Sequence, residues 1–159
     1  MTLPGSRFDV WSCTKSFTGV AWGLLLDESR KGNLPNNAKV DLDSLAYSFL
    51  PNNTKLTDQL KEKITIGHLL SMTSGIAEPG TIWDYSDPAM AHLSILFKSI
   101  MKQEINEYMH VRVFNTVGIE NASWDVLGGG QFIGPHTSAR IVLHISAREL
   151  ARYVCIRGI

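Results

Sequence analysis

WSCTKSFTGVAWGLLLDESRKG, residues 11–32, carries the strongest local pattern in this 159-residue chain. Phe17, Val20, Ala21, Leu24 and Leu25 recur at the spacing of one buried helical face. Gly32 follows where a helix would end in a left-handed cap. Ser12 and Lys15 open the segment three residues apart, so on a helix they share a face with β-carbons roughly 5–6 Å apart. A hydroxyl beside an amine at a helix N-terminus, where the dipole favours developing negative charge, is the arrangement of a serine activated by a base. Ser12 as a plain cap and Lys15 as a solvated charge is the competing explanation. Ser12, Ser16, Gly19 and Gly23 add a stripe of small residues that permits close approach.

The same S-x-x-K spacing returns at Ser99–Lys102, near the end of another amphipathic segment. There Lys102 reads as a solvated C-terminal charge, so the spacing alone identifies nothing. What sets the first copy apart is its place at a helix start and the presence of a second motif downstream.

Composition narrows the classes. Fifteen basic and 15 acidic residues give a formal net charge of +0, with no basic run, so nucleic-acid binding has no electrostatic support. The longest apolar run, Val20–Leu26, falls far short of the roughly 20 residues needed to span a bilayer. No basic region followed by an apolar core opens the chain, so a signal peptide is not expected. Cys13 and Cys155 lack metal-ligand spacing and are expected to be free apolar fillers. No motif calls for a metal or a cofactor.

Along the chain, residues 1–10 are expected to be irregular, with Pro4 and Gly5 opposing an ordered element. Asp43–Leu50 predicts a short helix ended by Pro51, and Asn52–Asp58 a polar loop. Ile64–Met72 predicts a helix capped by Thr65, with His68 in a core or capping role. A loop bearing Trp83 delivers Tyr85-Ser86-Asp87, and Asp87 before Pro88 reads as an N-cap for a helix over Pro88–Met101. Its inward residues are Met90, Leu93, Leu96, Phe97 and Ile100. A further helix is expected over Asn106–Thr116, then an irregular stretch from Ile119 to Trp124. Gly128–Gly130 lacks the form of a phosphate cradle. Ile141–Leu143 predicts a short strand, and Ser146 with Glu149 a capping box opening a helix over Ala147–Ile156.

Taken in order, SCTKSFTGVAWGLLLDE, ITIGHLLSMTSGI, WDYSDPAMAHL, NEYMHVRVFNTVGIENASWD and ISARELARY resemble the serine β-lactamase, DD-peptidase and esterase superfamily, in its class C-like branch. The resemblance covers nearly all of residues 8–157. It implies a mainly α fold: the helical part of a β-lactamase/transpeptidase-like α/β domain, a single partial domain over 1–159 with most of the sheet absent. It implies Ser12 as acylated nucleophile, Lys15 as its general-base partner and Tyr85 as the tyrosine of a Tyr-x-Asn motif that relays the proton. For Lys15 this requires a depressed pKa, from burial or nearby positive charge. Tyr85 as a buried anchor is the alternative.

The sequence departs from the family in three places. Asp87 stands where the family has an amide, exchanging a donor for a carboxylate acceptor; substrate binding and helix capping both suit it. The replacement shifts the expected substrate from β-lactams toward esters or other peptidic compounds. The family's final Lys/His-Ser/Thr-Gly strand is absent, His136-Thr137-Ser138 being the nearest string. The resemblance further implies flanking strands, one of them carrying the second oxyanion donor, that are not expected within these residues; losing such a donor costs about 10²–10³ in turnover.

The expected activity is that of a serine hydrolase, acting by an acyl-enzyme on an ester, amide or β-lactam carbonyl of a small-molecule or peptidic substrate. A catalytically inactive fragment or binding module of the same fold is the alternative. The resemblance implies a periplasmic or secreted setting.

Overall fold

Arg7–Asp9 (β1), Ser123–Val126 (β2) and Ile141–Ser146 (β3) form one antiparallel sheet in the order β1-β3-β2. The register sets Arg7 opposite Ser146 and Ser123 opposite His144, so the central strand joins parts of the chain more than a hundred residues apart. The computed structural model describes residues 5–50, 59–75, 77–126 and 141–156. Gly128–Gly130, His136–Ser138 and the polar stretch 52–58 lie outside them.

The helices are Thr14–Lys31 (α1), Ile66–Leu70 (α2), Asp87–Met101 (α3), Ile105–Met109 (α4) and Ala147–Ile156 (α5). The chain is therefore mainly α, as its periodicity predicts. α1 ends at Gly32 in the left-handed region, with φ of +74°, as expected. Its buried face comprises Phe17, Ala21, Trp22 and Leu25 with Thr14 and Thr18, while Val20 and Leu24 are only partly buried. The expected face is thus turned to admit Trp22, whose ring meets Phe97 of α3 edge-on at 6.0 Å. Among the described residues, nothing stands within 4 Å of where a Cβ at Gly19 or Gly23 would be.

An aromatic cluster ties α1 to the rest. Phe17 stacks on Tyr153 of α5 at 3.9 Å and meets Phe114 and Trp124 edge-on, while Phe114 stacks on Trp124 at 5.7 Å. Phe17 and Phe114 are almost wholly inaccessible to solvent. Burying such a ring stabilises by about 1.5–3 kcal/mol, with more from edge and stacking geometry.

Several expectations need correction. Residues 7–9 and 123–124, expected to be irregular, lie in the strands β1 and β2. Three or four residues carry little local pattern, and their pairing partners are distant in sequence. The expected helix over 106–116 is α4 followed by a wider π turn, His110–Phe114, and a tight turn ending at Gly118, φ +68°. Met109 and Phe114 point inward as expected, and Val113 is partly buried. Asp43–Leu50 holds only a tight turn at Ala46–Phe49. Cys13 and Cys155 are free but exposed, so neither fills a core.

Two caps follow the sequence closely. Thr65 accepts from the His68 N–H while the His68 ring accepts from the Thr65 N–H, both at 3.2 Å. Glu149 closes the other box: it accepts from the Ser146 hydroxyl at 2.6 Å and from the Glu120 and Asn121 amides at 3.0 Å.

Candidate active site

Ser12 lies in a tight turn, Trp11–Cys13, that leads directly into α1 instead of on its first helical residue. The turn is entered through Trp11 at φ +46°, a left-handed conformation costly for a non-glycine residue. The Asp9 carboxylate accepts from the Trp11 amide at 2.6 Å and holds that entry. On either side of Ser12 the chain is fastened to one residue of β3. The Val10 amide donates to the Leu143 carbonyl at 3.1 Å, and the Leu143 amide donates to Thr14 Oγ1 at 3.0 Å. Thr14 is buried, so this second bond is shielded from water.

Tyr85 comes from the loop between α2 and α3. That loop rests on the end of α2: the Gly80 amide donates to the Thr73 carbonyl and the Asp84 amide to the Met72 carbonyl, both at 2.9 Å. Gly80 adopts φ +88°, and a Cβ there would stand 2.9 Å from the His68 ring nitrogen. Glycine is required on both counts. The histidine that caps α2 therefore also sets the path of the loop carrying the phenol.

The two motifs meet. Tyr85 OH shares a short hydrogen bond with Ser12 Oγ across 73 residues of sequence. Lys15 Nζ stands 4.6 Å from the centre of the Tyr85 ring and 2.8 Å from Asp87 Oδ1. Lys15 is four-fifths buried at its side chain, 20% exposed, whereas Asp87 is 60% exposed. Tyr85 is itself exposed, so it is not a buried anchor. The helix-capping role expected of Asp87 falls to Ser86, whose hydroxyl accepts from the Ala89 amide at 3.2 Å. Ser and Asp both serve as caps, and adjacency to Pro88 does not choose between them; the pull of Lys15 on the Asp87 carboxylate does.

The electrostatics depart from the expectation for Lys15. Partial burial works against its charge, but hydrogen bonds and charge from Asp87 and Tyr85 outweigh it and hold the ammonium above its ordinary value of 10.5. The Lys15 ammonium, and next the Ser12 hydroxyl, hold the Tyr85 phenol below its ordinary 10.0. Of the two groups beside Ser12, the phenol is the one whose basic form is favoured.

The second S-x-x-K is no such constellation. The Ser99 hydroxyl donates to the Phe49 carbonyl, and Lys102 is an exposed C-cap residue at φ +55°. Among the described residues, no group of three or more His, Cys, Asp or Glu could hold a metal ion, and no helix is long and apolar enough to cross a membrane. Sequence reasoning missed Asp9, Thr14 and Gly80 as supports of the site. Gly80 could have been found from the Pro79-Gly80 turn signal; Asp9 and Thr14 gave none, since their partners are a strained amide and a distant strand.

A family model of β-lactamase matches residues 3–157. A comparison with curated proteins found no match. Among solved structures, a putative β-lactamase from Bacteroides dorei is similar with a TM-score of 0.74 at 16% identity, covering 98% of this chain and 51% of that one. A D-amino acid amidase from Ochrobactrum anthropi, solved with L-phenylalanine, gives 0.72 at 14% identity, covering 96% and 55%. A D-alanine carboxypeptidase from Burkholderia cenocepacia gives 0.69 at 18%, covering 96% and 50%. The chain thus spans about half the length of the structures it matches. With a family model matched over almost its whole length, the chain belongs to the β-lactamase family.

Proposed function

We propose that this chain carries the nucleophile-bearing part of a serine hydrolase that works through an acyl-enzyme on Ser12. The observation that carries the reading is the hydrogen bond between the Ser12 hydroxyl and the Tyr85 phenol, with the Lys15 ammonium against the same ring. In the proposed first step Ser12 Oγ adds to a substrate carbonyl carbon and its proton passes to the Tyr85 phenolate. The tetrahedral adduct collapses as the bond to the leaving group breaks, and Tyr85 returns the proton to that group. Water then adds to the acyl carbon, Tyr85 takes its proton, and Ser12 Oγ leaves with it.

In this scheme Lys15 remains an ammonium and favours the ionised form of the phenol, a role its raised pKa suits better than that of a base. A small-molecule or peptidic ester, amide or β-lactam fits the chemistry. Fluorophosphonate labelling followed by peptide mass spectrometry tests the reading. The label is expected on Ser12 and absent from Ser12→Ala; a label elsewhere, or one undiminished by the substitution, removes it. The ion pair that fixes Lys15 to Asp87 favours a second reading, a binding module of the same fold without chemistry, which predicts no label at all.

A further inference from the structure

Charge around the serine is arranged unevenly. Lys15 and Asp87 form an ion pair of 2.8 Å, but the ammonium is the inner partner and the carboxylate the outer, at 20% and 60% exposure. A solute approaching Ser12 from solvent therefore meets the negative end of the pair. Two more carboxylates lie close in sequence to the reacting groups. Asp9 holds the amide of Trp11, the residue before Ser12, and Asp84 immediately precedes Tyr85, with its Oδ2 facing Gly75 at 3.7 Å from the Cβ position there. Among the described residues, Lys15 is the cation in direct contact with the site, and Asp87 already engages it. Trp11 and Trp83, at 61% and 65% exposure, lie one residue before Ser12 and two before Tyr85 in sequence.

We propose that Asp87 makes this site discriminate by charge, accepting neutral or cationic acyl compounds and turning away those that carry a carboxylate. The inference rests on the hydrolase reading and names its substrate class. An amide at position 87 would donate to an incoming anion and leave Lys15 free to attract it; the carboxylate does neither, and repels it. A cation gains from the outer carboxylate of Asp87, against the opposing charge of the inner Lys15 ammonium.

The test uses three fluorophosphonates of one chain length, ending in a methyl, a trimethylammonium or a carboxylate. The rate of Ser12 labelling by each is followed by intact-mass spectrometry at low ionic strength. Labelling by the cationic probe is expected to exceed that by the anionic one by on the order of tenfold, with the neutral probe between them. About 1 M salt, which shortens the screening length to roughly 3 Å, should bring the three rates together. In Asp87→Asn the ammonium of Lys15 loses its carboxylate partner, and the order of cationic and anionic probes should reverse. Equal rates at low salt in the unaltered chain, or an order unmoved by Asp87→Asn, overturn the proposal while leaving the nucleophile in place. Failure of all three probes to mark Ser12 overturns the hydrolase reading itself, and this inference with it.

Discussion

Lys15 on α1 and Asp87 at the start of α3 hold one another at 2.8 Å, so the two sequence motifs are joined by an ion pair as well as by the Ser12–Tyr85 contact. The partially buried ammonium has its pKa raised, burial opposing the shift and Asp87 and Tyr85 producing it. A raised lysine contributes stability that is complete below its unfolded value of 10.5 and is lost as pH rises through the higher folded one. Lys15→Met should therefore cost a constant amount, no more than about 1 kcal/mol for so exposed a partner, at neutral pH. Melting curves across pH should show that cost shrinking above 10.5; a cost that grows there would contradict the assignment.

For Tyr85 the sign is opposite. Lys15 and then Ser12 favour the phenolate, so the rate of Ser12 labelling should climb with pH through an inflection below 10.0. Tyr85→Phe should abolish the inflection and slow labelling by about 10²–10⁴. Lys15→Met should move the inflection upward. A profile indifferent to Tyr85→Phe would take the phenol out of proton transfer.

Glu149 predicts the acid limit of stability. Burial raises its pKa, but the Ser146 hydroxyl and the amides of Asn121, Ser146 and Glu120 outweigh burial and hold it below 4.5. A depressed carboxylate contributes above its unfolded value and loses that contribution as pH falls through the folded one. The chain should thus weaken below pH 4.5, and Glu149→Gln should flatten that part of the curve while lowering stability at neutral pH. Glu149→Ala strips the partner from several amides at once and should cost about 2–4 kcal/mol by chemical denaturation.

Gly80→Ala forces a Cβ to within 2.9 Å of His68 Nε2 at a φ of +88°. Strain alone costs about 1–2 kcal/mol. The more telling readout is labelling of Ser12, which should slow because the loop to Tyr85 is displaced. Removing the ring with His68→Ala should relieve the collision but not the strain, so the double substitution should cost less than the two singles summed. Strict additivity would mean that ring and loop do not press on one another.

The helices and their caps were legible because periodicity and capping are written within a few residues: α1 with Gly32, Thr65 with His68, Ser146 with Glu149. The sheet was not. Arg7 finds Ser146 and Ser123 finds His144 only once the chain has closed on itself. At the site, Ser12, Lys15 and Tyr85 could be named from motifs, and the structure brings them together. The direction in which Lys15 titrates could not, because it depends on whether Asp87 faces the helix it begins or the amine across from it. The register of α1 was misjudged for a similar reason, Trp22 turning inward to meet Phe97 where aliphatic spacing pointed to Val20 and Leu24.

Leu143 lends both of its main-chain groups to the turn that presents Ser12, one to Val10 and one to Thr14. Strand alignment and nucleophile height are consequently a single degree of freedom. A slip of one residue along β3 would present a neighbour whose side chain faces the other way. Variation that lengthens or shortens the path into this strand is therefore expected to disarm the serine well before it unravels the helices.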